Sequence, residues 1–336
     1  MNFNKIKIIA EAGVNHNGSI ITAKKLIDGA AKAGADFVKF QTFTASSLAS
    51  SKAKLAIYQK KSGLKVKNQY ELLKKLELSK ESHFELINYC KKKKIKFLST
   101  AFDEDSLDFL KSLNLDLIKV PSGEINNYPY LCKVAKINKD TIVSTGMSDK
   151  KDISNCLKIL TNNGLAKSKI ILMHCNTAYP TPFKDANLKA ISSIKKLFKT
   201  NVGYSDHTVG IEAAIASIAF GAKIIEKHFT LNKNDKGPDH KASISVKELS
   251  KLVSGARNVY NSLGSGIKKV TKSEIRNIKI VRKSIVAKKY IYRGELFNEN
   301  NLTTKRPAIG LSPLLWKKVL GKKAKKDFKK NELIRL

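Results

Sequence analysis

The residues of this 336-residue chain that could do chemistry fall in short motifs. EAGVNHNG holds Glu11, Asn15 and His16; VKFQTF holds Lys39 and Gln41; FLSTAF holds Ser99 and Thr100. IKVPSGE supplies Lys119, Ser122 and Glu124, and VSTG supplies Ser144 and Thr145. HCNTAYP carries His174, Asn176, Thr177 and Tyr179; GYSDHT carries Ser205, Asp206 and His207; IIEKHFT carries Glu226 and His228. Lys39 and Gln41 alternate, so on a strand they face one side. With Lys119 and the hydroxyls of Ser122 and Ser144 they make a cationic, hydroxyl-lined nest suited to a small anion bearing phosphate or carboxylate. Buried ammonium groups need anionic company. Glu11 is placed either to pair with one lysine or to position a water and take its proton. His207 and His228 end successive apolar runs, and two imidazoles converging there suit a first-row divalent ion that keeps water or substrate ligands. His174, ringed by apolar neighbours in ILMHC, reads as core, and His83, on a lysine-rich helix, as solvated.

Each motif terminates a short apolar, β-branched run: residues 6–13, 37–43, 96–102, 117–123, 141–146, 170–176, 201–207 and 224–230. Helical stretches follow each run, from 20–33 through to 246–263. Eight alternating βα units over about 260 residues predict an α/β fold, a (β/α)8 TIM barrel whose strand C-termini carry the chemistry. A doubly wound sheet would need a GxGxxG turn after the first strand, and EAGVNHNG does not supply one. Catalytic residue types at one barrel mouth, eight times over, predict an enzyme.

The formal net charge is +36, yet only six of the 64 cationic side chains are arginine, the residue that reads bases and phosphates bidentately. Lysine is spread along the chain, so the charge reads as a solvated coat, with a basic nucleic-acid-binding protein as the remote alternative. Four cysteines without a CxxC pair point to reduced thiols. No leader is expected at the N-terminus, and the most apolar stretch, 213–222, is far too short to span a bilayer, which predicts a cytoplasmic protein with no membrane contact.

Past residue 263 the pattern changes. Residues 264–282 read as a linker, and residues 283–336 as a small β-rich domain with an internal echo: AKKYIYRGELF (287–297) against AKKDFKKNELI (324–334), flanking a short helix at 313–319. At this size it is marginal alone and is expected to dock on the barrel or on a partner subunit.

The ordered motifs IIAEAGVNHNG, VKFQTF, FLSTAFDEDS, IKVPSGEINNYPYL, VSTGM, HCNTAYPTPF, GYSDHT, IEKHFTL and GPDHKAS resemble those of the sialic acid synthase family, and the tail RKSIVAKKYIYRGELFNENNLTTKRP resembles its C-terminal antifreeze-like (SAF, β-clip) domain. The resemblance implies a metal-dependent condensation of phosphoenolpyruvate with an open-chain N-acetylated amino sugar, giving a nine-carbon 2-keto sugar acid and phosphate. It implies that His207 and His228 hold manganese, magnesium or cobalt. It further implies that Glu11 orients or deprotonates a reactant, and that Lys39, Thr100, Lys119, Ser122, Ser144 and Ser205 hold the phosphate and carboxylate. Gln41, Tyr179 and Asp239 would contact the sugar, and Asn176 and Thr177 count among the substrate-binding residues. Arg306 matches an arginine that reaches the active site of the partner subunit, which implies a domain-swapped homodimer. Two departures, Ala101 where the family commonly has proline and Ala178 where a larger or acidic residue is common, bear on the loops near the sugar. GPDHKAS is more like the N-acetylneuraminate and N,N′-diacetyllegionaminate synthases than the pseudaminate synthases. N-acetylneuraminate synthesis from N-acetylmannosamine is the expected activity, and N,N′-diacetyllegionaminate synthesis the alternative. Heptulosonate- or octulosonate-phosphate synthases would need a further cationic site for a second phosphate.

Overall fold

The computed structural model describes residues 3–50, 52–55, 63 and 65–336. It divides into two compact units, Met1–Leu263 and Gly264–Leu336. In the first, β1 (Lys7–Gly13), β2 (Phe37–Thr42), β3 (Lys96–Ala101), β4 (Leu117–Val120), β5 (Asp140–Ser144), β6 (Ile170–Cys175), β7 (Asn201–Asp206) and β8 (Ile224–Thr230) pair in parallel, each with its sequence neighbour. The sheet closes where β8 returns to β1, in register from Lys7↔Ile224 to Glu11↔His228. This is the expected (β/α)8 barrel. β4 stops short of the expected residue 123, because Pro121 has no N–H to give a ladder and Ser122–Glu124 wind into a 3₁₀ turn. A two-residue strand, β9 (Ile244–Ser245), pairs with the end of β8.

Alternation along the strands sorts the side chains into layers. Ile9, Phe37, Leu98, Leu117, Ile142, Ile171, Met173 and Ile224 form one buried apolar cluster filling the lower interior of the barrel. Two residues further along β1–β4, β7 and β8 the inward positions become Glu11, Lys39, Thr100, Lys119, Ser205 and Glu226, all buried. The outward positions pack beneath the helices. Helix Ile20–Ala33, capped by Ser19 accepting from the Thr22 N–H, buries Ala23, Leu26, Ile27, Ala30 and Ala33 at helical spacing. It ends at Gly34, whose φ of 81° is the left-handed turn that frees the chain to enter β2.

Helix Lys80–Lys92 corrects one expectation. His83 shares a face with Leu86 and Cys90, at i, i+3 and i+7, and is fully buried instead of solvated. Its Nδ1–H donates to the Ser79 carbonyl at 2.8 Å, which leaves Nε2 to accept from Thr42 Oγ1 at 2.7 Å. The flanking lysines disguise that face in the sequence. His174 does pack away from the barrel interior, half-buried, with Nε2 donating to the Ala186 carbonyl at 2.9 Å.

In the second unit β10 (Ser284–Ala287) and β11 (Leu302–Lys305) are antiparallel. The stretch expected as a linker includes a short helix, Ile275–Val281. The internal echo is structural: Ile291 and Phe328, equivalent in the two copies, exchange both backbone hydrogen bonds at 3.0 and 2.9 Å. Tyr290 donates to Asp327, its counterpart, at 2.9 Å. Ile291, Phe297, Phe328 and Ile334 meet in one core. Among the described residues no helix is long and apolar enough to cross a membrane.

Candidate active site

At the C-terminal mouth of the barrel a cavity of about 480 Å³ opens above the charged layer. Glu11, Lys39, Gln41, Thr100, Lys119, Ser122, Ser144, Thr177, Tyr179, Ser205, His207 and His228 all line it. Asn176 lies beneath His207, and Asp239 beside His228. Thirteen motif residues from all eight strand ends, with Asp239 from the 231–243 loop, therefore converge in one place. Arg306 belongs to the C-terminal unit, where it is exposed just past β11.

The deepest polar layer is an ion quartet. Lys39 Nζ forms an ion pair with Glu11 Oε2 at 2.8 Å and donates to Thr100 Oγ1 at 2.9 Å. Lys119 Nζ reaches both oxygens of Glu226, at 2.9 and 2.8 Å, and Ser205 donates to the same carboxylate at 3.0 Å. Lys39 is 3.7 Å from Glu226, so the two pairs are joined. The nest is thus electrically balanced, where the lysines alone suggested a net cationic one. Sequence reasoning chose Glu11 as the counter-charge and left out Glu226. Its inward spacing of two from His228, on the strand facing a second buried lysine, was the available signal.

The two carboxylates differ. Burial raises the Glu11 pKa to about 7, and Lys39 only partly offsets it. Burial would raise Glu226 as well, but Lys119 and Lys39 outweigh it and hold that carboxyl far below its usual range. One carboxylate is fixed as an anion; the other exchanges its proton near neutrality.

His207 and His228 approach with ring centroids 5.4 Å apart, and the Tyr179 ring lies 4.1 Å from His207 and edge-on to His228 at 5.6 Å. His207 Nδ1–H donates to the Asn176 carbonyl, which fixes the tautomer and leaves a lone pair on Nε2, 3.3 Å from Ser205 Oγ. Burial lowers the His207 pKa to about 4 and, with His207 as neighbour, takes His228 well below its ordinary value. Both rings are neutral at pH 7, the state in which imidazole binds a metal. His228 Nδ1 is buried with no hydrogen-bond partner, and Asp239 Oδ2 stands 3.6 Å away. Asp239 is itself pushed up to about 6 by burial. Among the described residues no group of three or more His, Cys, Asp and Glu is arranged to hold a metal ion. Two neutral imidazoles with an orphaned buried nitrogen fit an ion that takes its other ligands from water and substrate.

Backbone packing sets the hydroxyl-lined side of the cavity. The Gly146 N–H donates to Ser122 Oγ at 3.0 Å. A Cβ on Gly146 would lie 2.7 Å from Thr177 Cγ2 and 2.8 Å from Ser122 Oγ, so only glycine allows β4, β5 and β6 to bring these side chains together. The loop 231–243 is tied down by Asn15, which donates to the Phe229 carbonyl and to Ser243 Oγ, both at 2.9 Å, and by Thr230 against His240 at 2.8 Å. Gln69, Phe102, Met147 and Cys175 also line the cavity and were not anticipated. Gln69 comes from helix Gln69–Leu76, Phe102 closes the expected run 96–102 one residue past β3, and Met147 lies past β5, where no strand pattern marks it.

The profile of the NeuB family matches residues 26–268, and that of the SAF domain residues 282–336. The chain belongs to the NeuB family. N,N′-diacetyllegionaminic acid synthase of Campylobacter jejuni is 54% identical over 331 residues, covering 98% of this chain and 99% of that protein. The protein of the same name from Legionella pneumophila is 42% identical over 309 residues, covering 91% and 86%. Among solved structures, the N-acetylneuraminic acid synthetase of Leptospira borgpetersenii in complex with citrate superposes with a TM-score of 0.72 at 34% identity, covering 82% of this chain and 91% of that one. This NeuB-family chain is an enzyme, a transferase of the nonulosonic acid synthase type, with a SAF domain at its C-terminus.

Proposed function

We propose that the chain is an N,N′-diacetyllegionaminic acid synthase, joining phosphoenolpyruvate to 2,4-diacetamido-2,4,6-trideoxymannose. The observation that carries the choice of sugar is the 54% identity, end to end, to the Campylobacter jejuni enzyme of that name. The N-acetylneuraminate reading drawn from the motifs alone becomes the second choice. GPDHKAS did not separate the two sugars, which differ in groups the motifs do not report.

In this reading the quartet receives phosphoenolpyruvate. Lys39 and Lys119, with Thr100, Ser122, Ser144 and Ser205, hold its phosphate and carboxylate by charge-assisted hydrogen bonds. Gln41, Asn176, Thr177, Tyr179 and Asp239 line the approach of the sugar. His207 and His228 would hold a divalent ion of the manganese, magnesium or cobalt kind. When bound, such an ion supplies Lewis-acid polarisation of the sugar carbonyl. The enol carbon forms the new carbon–carbon bond at that carbonyl, water adds at the former enol C2, and carbon–oxygen cleavage releases phosphate. Glu11, with its pKa near 7, takes the proton of that water. Glu226 stays ionised and keeps both lysines charged. Arg306 completes the site of a partner subunit in a domain-swapped homodimer, as the family resemblance implies, and the reaction takes place in the cytoplasm.

The test is to offer N-acetylmannosamine and 2,4-diacetamido-2,4,6-trideoxymannose side by side with phosphoenolpyruvate and manganese. Phosphate release is followed and the products are weighed by mass spectrometry. Higher kcat/KM for the diacetamido sugar supports the reading; preference for N-acetylmannosamine overturns it.

A further inference from the structure

The two histidines that face the cavity stand on unequal footing. His228 lies within β8, whereas β7 ends at Asp206, so His207 lies one residue beyond its strand. The register of the two strands runs Ser205↔Glu226 and then Asp206↔Lys227, and there the ladder stops. No strand pairing holds His207 opposite His228.

A buried ion pair on the reverse face takes over at that point. Asp206 and Lys227 point away from the cavity, and both side chains are fully buried. Lys227 Nζ donates to Asp206 Oδ2 at 2.7 Å and to the Thr208 carbonyl at 2.6 Å. Asp206 Oδ1 in turn accepts the Thr208 N–H at 2.9 Å. One ammonium on β8 therefore grips residue 206 and residue 208, and the residue between them is His207.

Other contacts orient the His207 ring and backbone toward β6: its Nδ1–H donates to the Asn176 carbonyl, and its own carbonyl accepts the Thr181 N–H at 2.8 Å. Those contacts fix His207 relative to β6. The β7–β8 ladder still holds Asp206, but past it the Lys227 bridge is what ties residue 208 back to the strand that carries His228. Because side chains alternate, each His is the next residue along from its member of the ion pair, on the opposite face. A slip of one residue would turn His207 out of the cavity. Burying two charges is seldom the most stable way to fill such a space, since apolar side chains of similar volume do as well or better. A demand for exact spacing gives the pair a reason to persist.

We propose that Lys227, through Asp206 and the Thr208 carbonyl, is a positioning residue that sets the distance between the two imidazoles and thereby the affinity of the site for a divalent cation. The inference rests on the reading of His207 and His228 as metal ligands. The test measures manganese binding directly, by calorimetric titration of the full chain with manganese chloride in the absence of substrates, beside thermal unfolding of the metal-free protein.

The informative variant is the double substitution Lys227→Met with Asp206→Asn. It removes the bridge without stranding a buried charge and keeps an acceptor for the Thr208 N–H. The expected result is manganese affinity 10- to 100-fold weaker at nearly unchanged unfolding temperature, the range seen when the outer partners of metal ligands are removed. Lys227→Arg, which keeps a cation on β8, should recover part of the loss. Manganese affinity within twofold of the parent in a folded double variant overturns the proposal. So does failure of both variants to fold, which would make the pair a requirement of the barrel as a whole. A parent chain that binds no manganese removes the metal-ligand reading itself, and the proposal with it.

Discussion

Replacing Glu11 by Gln separates two jobs that the quartet combines. The substitution keeps size and shape but removes one negative charge from a group of two lysines and two glutamates. Lys39 retains Thr100 at 2.9 Å and Glu226 at 3.7 Å, so it is not stranded. The balanced nest becomes net cationic by one charge, which favours a bound anion. Phosphoenolpyruvate should therefore bind at least as well, with its KM unchanged or lowered. Proton transfer, in contrast, loses its acceptor, and a positioned base is worth about 10²–10⁴ in rate, or roughly 3–5 kcal/mol of barrel-mouth catalysis. The pH profile adds a second reading. The acceptor must be ionised to act, so kcat/KM of the parent rises with pH through an apparent pKa near 7, the value that burial gives Glu11. An ordinary carboxylate would leave the profile flat there. Phosphate release followed from pH 5.5 to 8.5 for both proteins decides the matter. Glu11→Gln should show a kcat lower by at least a hundredfold and no acid limb near 7. Activity within tenfold of the parent, or a preserved limb, would refute the assignment; a large rise in KM for phosphoenolpyruvate with kcat intact would mean that Glu11 holds substrate and moves no proton.

Three further outcomes are expected. All six histidines are held below their ordinary pKa, chiefly by burial. The unfolded chain therefore takes up protons first as pH falls below about 6.5, and stability present above that pH drains away toward pH 4. For His16, lowered to about 4, the share lost by pH 5.5 is roughly 1–2 kcal/mol. His16→Gln should shrink the difference in unfolding free energy between pH 7.5 and 5.5 by that amount in urea titrations, and an unchanged difference would refute the buried neutral ring. Gly146→Ala should cost about 1–3 kcal/mol and raise KM for phosphoenolpyruvate, because the new methyl displaces Ser122 and Thr177; kinetics and unfolding indistinguishable from the parent would count against the close approach. Arg306→Ala should raise KM for the sugar and leave that for phosphoenolpyruvate nearly unchanged, and mixing it with a His207→Ala variant under subunit exchange should restore activity if the arginine serves the partner's site.

The barrel was legible because each strand carries its own pattern: an apolar run with side chains alternating, then a polar residue where the interior opens. Glu11, Lys39, Lys119 and His228 obey that alternation, and their convergence follows once closure is granted. The sequence is silent on pairing across the interior. Which lysine meets which carboxylate depends on strands far apart in the chain, so Glu226 was passed over and the balance of charge misjudged. His83 was misread for a related reason: lysines at both ends of its helix drew the eye from the three residues that define the buried face. Asp206 was grouped with its motif neighbours but faces away from the cavity to pair with Lys227, and that partner was hidden because one lysine among many looks like surface. The two candidate sugars differ at positions that no motif reports, and the proposal between them leans on overall identity to a relative and on no single residue.

The apolar plug under the quartet makes the barrel a blind well. Its far end is stoppered by Ile9, Phe37, Leu98, Leu117, Ile142, Ile171, Met173 and Ile224, so every molecule must come and go by the same rim. If the sugar binds above the lysines as proposed, whatever rests on them has to descend before the sugar covers it. On the proposed assignment, released phosphate, formed deepest, would stay trapped until the nine-carbon acid above it departs. Traffic through a single doorway imposes an order of arrival and exit without any moving part to enforce it.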